Sequence, residues 1–191
     1  MKPIIAILAL TIGATSPAFA QHTGHSPEHA AAKAPAVMNA VAVLSPASGS
    51  SVHGVIRFTQ DGAALKVAAD IEGLTPGQQH AMHVHECGDC TAPDATSAGG
   101  HYNPDGHAHA LPVTDERHAG DLGNLTADAG GKAHYEITVT NCSIAGMMNP
   151  ILGRAVIVHA KPDDGGQPTG NAGGRVACGV IGVAKALEAA K

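Results

Sequence analysis

The chain has 191 residues, with 24 Gly, 12 Pro, no Trp, two Tyr and two Phe. Its length suggests one domain, whose core must come from Val, Ile, Leu and Ala and whose short elements are joined by long loops. A formal charge of −5 argues against nucleic acid as a partner and repels any anionic substrate in the far field.

Residues 1–20 read as an export signal: Lys2 gives the positive start, residues 4–12 the apolar stretch, and Ala18-Phe19-Ala20 a small-x-small cleavage site. The apolar stretch is too short to span a bilayer, and no Cys follows the cleavage site to take a lipid. No membrane attachment is therefore expected after cleavage. Cleavage removes Lys2 and no acid, so the mature chain is more negative by one charge. Residues 21–36, QHTGHSPEHAAAKAPA, lack apolar periodicity and read as a flexible tail. His22, His25 and His29 fall in it; any exposed His-rich tract binds metal somewhat, but the tail is read as solvated rather than as a metal collector.

Strand patterns begin at residues 38–44 and continue at 52–60, followed by Asp61-Gly62, a tight hairpin signal. Leu65, Val67, Ala69 and Ile71 alternate with less apolar neighbours, the period of a half-buried strand. Residues 80–86, 121–126, 132–140, 155–160 and 175–183 complete eight strands. Residues 184–191 suit a short helix. The stretches 87–120 and 161–174 are long and strand-poor, and loops of that length in a compact domain are usually functional. The pattern predicts an all-β fold, an eight-stranded antiparallel barrel or sandwich with two long functional loops. Its domain covers residues 37–185, with 186–191 as a C-terminal tail.

Thirteen histidines are a large excess. His83 and His85 are two apart on a strand, so both point to one face and reach one metal. The long loop adds His101, His107, His109, His118 and Asp121. Imidazoles with one carboxylate suit zinc. His159 ends a strand and stands to complete the metal bound by His83 and His85. Imidazoles without thiolate suit copper, which ranks highest in divalent affinity. His53, His80 and His134 carry no metal role, and His80 reads as a structural hydrogen-bonding residue. Four cysteines in an exported chain favour disulfides, with three pairings open.

Five motifs resemble the copper–zinc superoxide dismutase family: HVHECGDC (83–90), SAGGHYNP (97–104), ERHAGDLGN (116–124), IVHAKPDD (157–164) and GNAGGRVACGVIG (170–182). The resemblance runs over residues 37–185. The GDC and SAGGH segments, with the export signal, look like the bacterial periplasmic branch; RHAGDLGN also looks like the eukaryotic one. The resemblance implies a Greek-key barrel and copper held by His83, His85, His101 and His159. It implies zinc held by His101, His109, His118 and Asp121, with His107 as the alternative to His109 if the loop register slips. His101 would bridge both metals and carry a proton. Asp163 would link a copper His to a zinc His, Arg175 would attract and orient superoxide, and Thr169 would sit at the channel rim. Cys90 and Cys178 would form the family disulfide.

The implied activity is the conversion of superoxide to oxygen and hydrogen peroxide in the periplasm, by a monomer or a homodimer. The rival is a periplasmic copper store or chaperone on the same fold, which would need neither Arg175 nor a bridging His101. Three departures from the family stand out. The second loop carries one Lys and no Arg between His159 and Arg175, which predicts weaker steering and a flatter salt dependence. Ala81 and Met82 stand where the family has Gly and Phe; Met82 is expected to fill the core and Ala81 to take a backbone conformation open to a Cβ. Cys87 and Cys142 are extra, and a second bridge between them is expected in an oxidising compartment.

Overall fold

A computed structural model of the protein describes residues 36–146 and 148–186. The expected export signal, all of the tail but residue 36, and residues 187–191 lie outside the described residues. Residues 184–186 form no helix.

Eight strands run in the expected places: β1 (Asn39–Pro46), β2 (His53–Asp61), β3 (Ala64–Glu72), β4 (Gln79–His85), β5 (Asp121–Thr126), β6 (Ala133–Val139), β7 (Ala155–His159) and β8 (Arg175–Val183). Alternation explains the first three. In β1, Ala40, Ala42 and Leu44 are buried while Val43 is exposed. In β3, Leu65, Val67, Ala69 and Ile71 all point inward. The β2–β3 hairpin turns at Gly62, whose φ of 60° lies in the left-handed region a glycine adopts without strain.

The strands pair in the order β5-β4-β7-β8-β1-β2-β3-β6, every pair antiparallel. The two ends of this sheet, β5 and β6, come together without a ladder, and the Tyr135 hydroxyl on β6 donates to the Leu122 carbonyl on β5 at 2.7 Å. The result is a nearly closed Greek-key barrel. Chain neighbours β3 and β4 are not sheet neighbours, and neither are β5 and β6 or β6 and β7. The last of these connections, residues 140–154, is a third long loop that the sequence pattern did not single out.

The core is aliphatic. Ile56, Phe58, Leu65, Ile71, Met82, Leu122, Leu125 and Ile181 are fully buried in it, and each such side chain contributes about 1.5–3 kcal/mol on burial. Met82 fills the core as expected. Ala81 is buried without a positive φ, beside a register shift in the β4–β5 ladder.

The outer wall of β4, β7 and β8 positions the site. All five residues of β7 are buried. Val156 and Val158 face the barrel core, whereas Ala155 and Ile157 pack outward with Ala95, Ala98 and Cys178 under the first long loop. Cys90 and Cys178 form a disulfide with Cα atoms 5.8 Å apart, tying that loop to β8. The expected second bridge is absent: Cys87 and Cys142 are both free thiols. Cys142 belongs to the barrel core and Cys87 is exposed, so the two sit in different layers. Burial pushes the Cys142 thiol up to about 12, which keeps it protonated.

Candidate metal centre

On β4 the side chains alternate across the wall: Met82 and Val84 enter the core, so His83 and His85 project outward beneath the loops. His159 ends β7, one strand over. His101 makes an isolated bridge to His85 and so runs alongside β4. Ligand atoms of His83, His85, His101 and His159 lie within 4.8 Å of one another, and so do those of His101, His109, His118 and Asp121. All seven residues are buried. The two clusters share His101.

The hydrogen bonds set the tautomers. His83 Nε2 donates to Asp163 Oδ2 at 2.9 Å, which leaves its buried Nδ1 with no partner. His85 Nδ1 donates to the Gly99 carbonyl at 3.0 Å, and His159 Nδ1 to the Gly173 carbonyl at 3.3 Å. Their remaining Nε2 atoms face each other at 3.4 Å. Two imidazole lone pairs aimed at one point, with a third orphaned nearby, lack the donor that a buried acceptor requires. A cation supplies what the site lacks. Burial holds all three rings neutral: His83 is lowered to about 4, His85 to about 2 and His159 to about 3. They are ready to bind metal at neutral pH.

The second cluster is built differently. Asp121 opens β5, and its carboxylate lies 3.2 Å from His101 Nδ1, 3.0 Å from His109 Nδ1 and 3.3 Å from His118 Nδ1. The His109–Asp121 approach is close but not angled as a hydrogen bond, so His109 Nδ1 also counts as unpartnered. Asp121 Oδ2 accepts from the backbone of Ala110 and His118. Burial would raise Asp121, but its imidazole partners outweigh that and hold it well below the usual carboxylate range. Burial would likewise lower His109, yet the close Asp121 carboxylate and the bond to Asp163 hold it up at about 9. Three imidazoles and a carboxylate form the donor set zinc prefers. Four imidazoles suit copper.

Asp163 joins the clusters, since its two oxygens accept from His83 Nε2 at 2.9 Å and His109 Nε2 at 2.8 Å. Gly170 packs against this pair with φ 75°, and a Cβ there would collide with the Asp163 carboxylate. Arg175 opens β8 opposite His159. Its guanidinium donates to the carbonyls of Ala95 at 2.6 Å and Gly99 at 2.7 Å, and its field further lowers His85 and His159. Thr169 is exposed on the turn of the second loop.

All seven residues that the resemblance implies as metal ligands are in a cluster. His107 is in neither: among the described groups its position is fixed by backbone bonds to Asn103, and His109 completes the second cluster. His80 acts as expected, its Nδ1 donating to the His159 carbonyl at 2.8 Å. Sequence reasoning missed three side chains that brace the ligands. Arg117 is buried and donates to the carbonyls of Asp121 and Thr114. Gln167 brackets His109, accepting from its N–H and donating to its carbonyl. Asn124 does the same for Asp163. The two amides bond to a backbone distant in sequence and leave no local spacing to read, and Arg117 bonds within a loop that has no regular period.

Residues 52–181 match the family model described as copper/zinc superoxide dismutase. A protein of Paramecium bursaria Chlorella virus 1, named superoxide dismutase [Cu-Zn], is 45% identical over 155 residues, spanning 78% of this chain and 80% of the viral protein.

Proposed function

Because the chain belongs to the copper/zinc superoxide dismutase family, we propose that its two histidine clusters divide the family's metals between them. His83, His85, His101 and His159 hold copper. His101, His109, His118 and Asp121 hold zinc. The enzyme converts superoxide to oxygen and hydrogen peroxide with copper and zinc as cofactors. A metal store without turnover is not favoured.

The shared His101 carries this division. Its Nδ1 faces Asp121 and His118, which leaves Nε2 for the copper cluster. Held by these residues, copper would supply one-electron redox chemistry toward superoxide, and zinc would supply none. His101 does the proton work: it would hold a proton at Nε2 and pass it to the peroxide product. Two superoxides and two protons thus become one oxygen and one hydrogen peroxide. Arg175 stays charged and, held by two loop carbonyls, presents its cation beside His85 and His159. There it attracts and aligns the anion against the repulsion of the whole chain. Asp163 fixes the rings of His83 and His109 in the tautomers that binding needs. Thr169 stands at the rim of the approach.

We further read the protein as exported to the periplasm through cleavage after Ala20, on the pattern of residues 1–20. Among the described residues no helix is long and apolar enough to cross a membrane. Exposed Val43, Val180 and Val183 lie on the adjacent strands β1 and β8, which keeps a homodimer open beside a monomer. Metal analysis with a superoxide-decay assay tests the central reading. One copper and one zinc per chain with rapid decay is expected; a chain that binds both metals without turnover would reinstate the store.

A further inference from the structure

Asn124 is half-buried on β5, three residues after Asp121. It pairs with Ala81 across the β4–β5 ladder, at the register shift that precedes His83. Its side chain makes two bonds to one residue. The Asp163 N–H donates to Asn124 Oδ1 at 2.7 Å, and Asn124 Nδ2 donates to the Asp163 carbonyl at 2.9 Å. Asp163 has no strand of its own, since β7 ends at His159 and β8 begins at Arg175. Its carboxylate nevertheless spans His83 and His109, one residue from each cluster.

We infer that Asn124 is a positioning residue for the metal centre, acting through Asp163; this rests on the two-metal reading above. A loop residue held by one bond can pivot about it, and a residue held at both its N–H and its carbonyl cannot. The paired bonds refer the Asp163 backbone to the β4–β5 pair, the same pair that carries His83, His85 and Asp121. The carboxylate is then fixed in the frame of the ligands it orients. Only a side chain with one donor and one acceptor at this reach makes both bonds. Asp of equal size loses the donor and sets a carboxylate oxygen against the Asp163 carbonyl.

The test uses protein loaded with both metals. Zinc release to a chelator and the copper(II) electron paramagnetic resonance spectrum are recorded for wild type, Asn124→Ala, Asn124→Asp and Leu125→Ala. Leu125 is a fully buried core residue on the same strand, so its variant reports general destabilisation. Both Asn124 variants should release zinc about tenfold faster or more, the usual scale for residues that orient ligands. Their copper spectra should move toward that of zinc-free protein. Leu125→Ala should lower the melting temperature and leave both readouts in place. In an Asp163→Ala background, Asn124→Ala should change zinc release by less than about twofold, because the route is already cut. Unchanged release and spectrum in the Asn124 variants would overturn the inference, and so would a full further tenfold effect in the Asp163→Ala background. Asn124→Asp preserves size and carries the test should the alanine variant fail to fold. Failure of the two-metal reading shows separately, as wild-type protein that does not hold one copper and one zinc.

Discussion

The copper cluster and the zinc cluster share His101 and differ in what holds them. Three copper ligands stand on the barrel: His83 and His85 on β4, and His159 on β7. Of the zinc ligands only Asp121 stands on a strand, and His109 and His118 lie in the loop between β4 and β5. The copper ligands present neutral rings whose lone pairs meet no protein donor, whereas the zinc ligands close on one another through Asp121 and Asp163. A site on strands is preformed and waits for its ion. A site on a loop is shaped by pairing: Asp121 draws the zinc ligands together, and Asp163 holds His109 from behind.

The largest effect should follow from breaking the preformed side. His159→Ala removes one of four copper ligands and should cut superoxide decay by at least about 100-fold, on the scale by which loss of a catalytic group lowers rate. Zinc content measured on the same sample should stay near one per chain; joint loss of both metals would erase the distinction between the clusters.

Breaking the loop-built side should act on zinc first. Asp121→Ala deletes one of four zinc ligands, and structural zinc binding of about 10–16 kcal/mol spread over four ligands implies a loss of about 100-fold or more in affinity. Competition with a chelator measures it. Hydrogen exchange should rise over residues 101–120 and stay low in β4, because the strand does not depend on the zinc ligands for its ladder.

Proton release sharpens the same contrast. In the metal-free protein His109 is held up at about 9 by Asp121 and Asp163, against burial. Zinc entering at a pH of about 7.5 must therefore displace a proton from His109, and calorimetry in buffers of different ionisation enthalpy should count about one from this residue. The count should fall to zero as pH rises through about 9. The sign for stability follows. This pair stabilises the metal-free fold fully below the ordinary histidine value and ceases to do so as pH rises through about 9. The buried copper ligands run the other way: lowered to about 4, 2 and 3, they favour the fold above the ordinary histidine value and penalise it increasingly as pH falls below that value. Stability of the metal-free protein should peak between the two limits, and a monotonic profile would contradict the assignment.

The smallest effect concerns approach of the substrate. The second loop offers Lys161 and no Arg before Arg175, so guidance is local. The rate should fall by less than about threefold between about 0.01 and 0.15 M salt, where screening shortens from about 30 to 8 Å.

Much of this was legible in the sequence. Period-two alternation marked the first three strands, which bury one face each, whereas β4 and β7, buried on both faces, were legible only as short apolar runs. The spacing of His83 and His85 gave a shared face directly. Spacing could not choose between His107 and His109, because both lie in a strand-poor loop where no period fixes direction; the approach to Asp121 and the bond to Asp163 make the choice. Pairing of Cys87 with Cys142 failed for a related reason, since their layers in the wall follow from tertiary packing. The braces at Asn124 and Gln167 were invisible because each is an ordinary polar residue until a distant backbone comes within reach, and Arg117 because its carbonyls at Thr114 and Asp121, though near in sequence, lie in a loop with no regular period.

The Gly99 carbonyl accepts from both His85 Nδ1 and the Arg175 guanidinium. In a machine, two parts located from one datum share its error and keep their spacing. Here the ring that receives the metal and the cation that guides the substrate are located from the same oxygen. A shift of that loop carries both along, so the distance between guide and target is the quantity the fold protects. A mutation that moves Gly99 should therefore degrade metal affinity and substrate capture together, and one that spares it can remodel much of the surrounding loop without detuning their alignment.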